Sequence, residues 1–82
     1  MDFKKGMVVI SRAGRDSGYH MAVVDVRDGV VFVCDGKERP LERPKKKNPL
    51  HLAATNKTIQ LENITNRKLR TVLREHIAEE SE

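Results

Sequence analysis

Apolar residues in this chain come in short valine-rich runs, Met7–Ile10, Met21–Val24 and Val30–Val33, separated by glycine-containing turns. Residues 7–12 and 20–27 alternate only imperfectly, as expected of strands that bend in a small barrel and bury parts of both faces. Asp28-Gly29 is a strong hairpin signal. A two-residue type I′ turn there would pair Arg27 with Val30, Val26 with Val31 and Val24 with Val33. That register predicts a core face of Val24, Val26, Val31 and Val33. The opposite face, Val23, Asp25, Phe32 and Cys34, is too apolar for full exposure and calls for cover.

A second turn at Asp35-Gly36 predicts a short strand around Glu38–Leu41. Pro40 and Pro44 cannot donate to a ladder and confine it to an edge or a bend. Residues 44–49 then read as an exposed connection, and Leu50–Thr55 as a closing strand returning beside the first. Further on, Leu69, Val72, Leu73, His76 and Ile77 recur at helical spacing. They predict an amphipathic helix over about Asn66–Glu79, capped by Thr65 or Asn63. Ile59, Leu61 and Ile64 would pack in the approach to it. The helix is a candidate cover for the second sheet face, and its stripe serves either that packing or a partner interface. The reading is a mainly β fold: a five-stranded barrel over residues 1–56, then a C-terminal extension over 57–82 whose helix packs on the barrel.

With 82 residues, a single domain buries about 60 to 65% of its unfolded surface, which leaves little room for a deep catalytic cleft. Lys and Arg number 16 against 12 Asp and Glu, a net charge of +4. The window 37–47, KERPLERPKKK, carries that whole excess, while Glu75, Glu79, Glu80 and Glu82 make the end of the chain acidic. A field concentrated on one side favours a polyanionic partner over an acidic small molecule. Cys34 is the one cysteine, so no internal disulfide forms and a packed, reduced thiol is expected. No apolar run is long enough for a membrane helix, and Asp2 followed by Lys4-Lys5-Gly6 lacks a signal-peptide core. A cytoplasmic protein without a membrane role is expected.

Gly14 and Gly18 bracket Arg15-Asp16-Ser17, so the chain between the first two strands can take positive φ and present Arg12 and Arg15 on an exposed loop. With Met7–Ile10 before it and Ala22–Val26 after it, this loop resembles the KOW motif of RNA-binding proteins, Gly18 matching the motif glycine. The continuation through Asp35-Gly36-Lys37-Glu38-Arg39-Pro40, Pro44-Lys45-Lys46-Lys47-Asn48 and His51-Leu52 is similar to small bacterial KOW-domain proteins related to a eukaryotic and archaeal large-subunit ribosomal protein family. The resemblance covers roughly residues 4–55 and implies an SH3-like five-stranded barrel that contacts RNA, most of all ribosomal RNA, possible ribosomal-protein partners included. KOW-containing ribosomal proteins usually carry long basic extensions, whereas this tail is acidic. Stable incorporation and transient association both stay open.

The resulting candidate RNA-binding residues are Arg12, Arg15, Arg39, Arg43, Lys45, Lys46, Lys47 and His51, with Gly14 and Gly18 shaping the motif. Lysines would supply charge, although a lysine cluster also serves as plain solvated surface. Arginines would supply forked hydrogen bonds and stacking. Engagement of five or so phosphates would give a salt dependence of roughly three to four powers on single strands, at about 0.7 per phosphate. Asp16 reads as a structural turn carboxylate. Tyr19, one of three aromatics with Phe3 and Phe32, either stacks on a nucleotide or packs on the barrel rim. His20, His51 and His76 lack metal spacing. No catalytic constellation, metal site, cofactor or small-molecule substrate is expected, and no residue specifies a base. The alternative is a protein-interaction module of the transcription or translation machinery, using the barrel or helix face.

Overall fold

The computed structural model describes residues 2–80, Glu80 by its backbone alone. Five antiparallel strands, β1 (Met7–Ser11), β2 (His20–Arg27), β3 (Val30–Cys34), β4 (Lys45–Lys47) and β5 (Leu52–Thr58), precede one helix, α1 (Asn66–Glu80). They form one sheet in the order β4-β3-β2-β1-β5. β4 and β5 are its edges, joined in sequence by a 3-10 turn at Pro49–His51. Among the described residues no ladder joins β4 to β5, so the sheet is open and the expected closed barrel is not formed by strand pairing.

Two small cores lie on opposite sides of the sheet, which accounts for the imperfect alternation. Val8 and Val9 are neighbours in β1, point to opposite faces, and are both fully buried. Val9 joins Met21, Val23, Val31, Val33 and Leu52, with Phe3 and Met7 packed alongside. Val8 joins Ala22, Cys34, Leu69 and Leu73, bordered by Val24, Leu41, Ile59 and Ile64. The helix therefore covers the sheet face that includes Cys34, as expected. Cys34 is completely buried and its thiol donates to the carbonyl of Pro40 at 3.4 Å. Burial, with the charges of Asp35 and Glu42, pushes the thiol up to about 11.

The Asp28-Gly29 turn has φ of 50° and 77° at its two central residues, as a type I′ turn requires. Arg27 pairs with Val30 and Val26 with Val31, but a bulge between Val23 and Asp25 then shifts the register. Val33 faces Val23, not Val24. The extra residue turns Val24 towards the helix side and brings Val23 into the first core, while Val26, near the hairpin end, stays 37% exposed.

The fourth strand also differs from expectation. Residues 38–41 form no strand, and the supposed exposed connection contains β4 instead. Asp35 is the cause: its carboxylate accepts from the backbone N–H groups of Lys37 (2.8 Å) and Arg39 (2.9 Å) and curls the chain back. The following turn is docked on the helix start, where Asn66 accepts from the Leu41 N–H at 2.7 Å and donates to Glu42. Thr65 is the cap, its hydroxyl accepting from the Lys68 N–H at 3.1 Å. β5 pairs with β1 as the closing strand was expected to do, and runs to Thr58, past the boundary placed at residue 56.

Candidate functional site

The loop between β1 and β2 is built around Asp16. It sits 6% exposed at the base of the loop, where its carboxylate accepts from Lys47 Nζ at 2.8 Å, Lys45 Nζ at 3.1 Å and the Ser11 hydroxyl at 2.9 Å. Lys47 also donates to the Ala13 carbonyl at 2.8 Å. Burial alone would raise the Asp16 pKa. The hydrogen bonds from Lys47, Lys45 and Ser11, with the Lys47 charge, outweigh it and hold the carboxyl well below the usual carboxylate range. Asp16 is structural, as expected, but its side chain is held by residues from a distant strand as well as by Ser11.

β4 explains why those two lysines turn inwards. Val31 faces Lys47, Phe32 faces Lys46 and Val33 faces Lys45 across the β3–β4 ladder. Strand alternation therefore puts Lys45 and Lys47 on the side of buried Val31 and Val33, and Lys46 on the other. Lys47 is only 7% exposed and its ammonium is enclosed by Asp16 and Ala13. This corrects the expectation of three exposed lysines: Lys47 is a loop anchor whose charge is spent internally, and Lys45 shares that role while half-buried. Lys46 is exposed beside Arg27, Asp28, Val30 and Phe32. There Arg27 lies over the Phe32 ring at 4.5 Å and also pairs with Asp25 at 2.9 Å.

Anchoring leaves the arginines outside. Arg12 and Arg15 are exposed, and the loop backbone is closed by Gly18 N–H to Ser11 carbonyl (2.7 Å) and Tyr19 N–H to Asp16 carbonyl (2.9 Å). Gly18 has φ +89°, and a Cβ there would meet no atom within 4 Å. Gly18 is thus required by conformation and not by crowding. The Arg12 N–H donates to the His51 carbonyl at 2.8 Å, which ties the loop to the 3-10 turn and puts exposed His51 next to it.

Arg15 and Arg39 line one cleft with Tyr19, Glu38 and the edge of Asp16. Tyr19 is 47% exposed. The Asp35 curl is what delivers Glu38 and Arg39 to this place. Among the described residues, the side chains of Arg15, Arg39 and Glu38 enter no ion pair. Arg43 is exposed on the turn docked against α1. The structure thus groups Arg15 with Arg39, and Arg12 with His51, and separates Lys46 from Lys45 and Lys47. Sequence reasoning passed over Ser11, the third donor to Asp16, and Glu38. A serine at the end of a buried strand was a faint signal for the first; nothing in the sequence pointed to the second.

Among the described residues no group of three or more His, Cys, Asp or Glu side chains could hold a metal ion. No helix among them is long and apolar enough to cross a membrane. Neither a protein-family model nor a curated protein matches the chain.

Proposed function

We propose that this protein is a non-enzymatic RNA-binding module that works in the cytoplasm and contacts ribosomal RNA or the ribosome through the loop between β1 and β2. The observation that carries the reading is the convergence of Arg15 and Arg39, which enter no ion pair among the described residues, on a cleft with a half-exposed tyrosine. Guanidinium forks grip phosphates and an aromatic face stacks on bases. The buried ion pair holds the loop that carries Arg15 and Tyr19, and the Asp35 carboxylate holds the turn that carries Arg39, so folded RNA would be recognised largely by shape. The resemblance of residues 4–55 to KOW proteins points the same way. So does the strand order, which suits an SH3-like barrel completed by the 3-10 turn in place of a β4–β5 ladder.

The test is to replace Arg12, Arg15 and Arg39 together by alanine and measure binding to total cellular RNA. These side chains form no ion pair among the described residues, so the variant should melt within a few degrees of the parent while RNA affinity falls about tenfold or more. Unchanged affinity in the folded variant would remove the site.

One observation favours a second reading, protein interaction. Leu50 is 86% exposed beside Phe3, Pro49, Leu52, Ala53 and Ala54, an apolar groove next to the β5 edge. Partners that persist in a pull-down after nuclease treatment would support it, and their disappearance would support RNA.

A further inference from the structure

We infer that the cleft between the two loops receives an unpaired guanine of an RNA strand, with Glu38 reading its Watson–Crick edge. The inference rests on the RNA-binding reading above and adds to it a base preference.

The cleft is lined by both signs of charge. Asp16 is saturated by two ammonium groups and a hydroxyl, so a visitor meets two guanidinium groups and the Glu38 carboxylate. Glu38 is exposed, and it pairs with neither arginine among the described residues. A purely anionic ligand would gain from Arg15 and Arg39 but be repelled by Glu38. A purely cationic one would meet the reverse. The arrangement suits a ligand that carries an anion, a flat ring and hydrogen-bond donors together, and a nucleotide has all three.

The donors select among bases. An ionised carboxylate only accepts, and it does so through two oxygens side by side. Guanine presents two adjacent N–H donors on its Watson–Crick edge, at N1 and N2. Cytosine and adenine offer one exocyclic amino group next to an acceptor that a carboxylate repels, and uracil offers a single N–H between two carbonyls. The guanine edge is open only when the base is unpaired, as in loops and single strands, where stacking on an aromatic side chain is also available. Tyr19 supplies that ring, and Arg15 and Arg39 the phosphate contacts.

Fluorescence anisotropy with labelled oligouridine carrying one central guanosine, inosine or adenosine tests this. The guanosine probe should bind about tenfold tighter than the adenosine probe, with inosine, which lacks the N2 amino group, in between. Glu38→Ala should erase these differences while plain oligouridine binds equally well or better, since a repelling charge has gone. Arg15→Ala should weaken all probes alike. Failure of every probe to bind would sink the RNA-binding reading itself. Binding without preference, or a guanosine preference that survives Glu38→Ala in a variant with unchanged circular dichroism, would overturn the guanine assignment alone. Guanosine 5′-monophosphate serves as competitor: displacement as effective as by the guanosine oligonucleotide would overturn the RNA strand as the source, and weak displacement supports it.

Discussion

Asp16 decides what the loop arginines can do. Its carboxylate and the Lys47 ammonium are almost fully enclosed, their side chains 8% and 6% exposed. Removing one member of a buried pair leaves the other charge without compensation, which costs about 3 to 5 kcal/mol. Asp16→Asn should therefore lower the unfolding free energy by about that amount in urea titrations, and a loss below about 1 kcal/mol would show that the pair is not buried in solution. The pH dependence follows in sign. The folded carboxyl titrates below its ordinary value, so its contribution is complete above about pH 4 and is lost as the pH falls below it. The parent protein should lose stability over that acidic range, and Asp16→Asn should show a flatter profile there.

Among the elements, the Asp35-Gly36 turn lies directly against the start of α1. Gly36 has φ +81°, and a Cβ there would strike the Asn66 carbonyl oxygen and approach the Arg70 side chain to 3.1 Å. Gly36→Ala combines backbone strain with displacement of the helix start, and should cost about 2 kcal/mol or more in thermal melts. Gly18→Ala meets open space and carries only the φ penalty, about 1 kcal/mol. Equal losses would mean that the helix does not press on this turn.

The same elements show what a sequence discloses. The hairpin at Asp28-Gly29, the return of β5 to β1 and the helix were legible, because turn chemistry and periodicity act locally, while the choice of Thr65 over Asn63 as its cap was left to the structure. The bulge at Val24 was not, since it arises from fitting both sheet faces at once. β4 was hidden for a different reason: its alternation is written in lysines, and a lysine that is buried by an ion pair has the same letter as one in water. The arginine loop was legible from its glycines. Glu38 was not legible, and Arg39, a candidate by its charge, could not be placed beside Arg15, because both positions depend on how the Asp35 side chain folds the chain back.

For the whole molecule, the split of the basic residues changes the expected response to salt. Lys45 and Lys47 are committed to Asp16, and Lys46 lies on the opposite side of β4. Contact through Arg12, Arg15 and Arg39 alone involves about three phosphates, so affinity for single-stranded RNA should fall by roughly two powers of salt concentration, at about 0.7 per phosphate. A slope of three or more would mean that RNA wraps onto the Lys46 or Arg43 side as well. A slope near zero would leave no role for phosphate contacts.

The ammonium groups that anchor Asp16 lie 29 and 31 residues further along the chain. The anchor can therefore close only after Lys47 has been added, and closing so long a span is slow compared with forming a local hairpin. A guanidinium spacing that rests on this anchor is set only in the finished fold, so the proposed recognition by shape would belong to the folded protein alone.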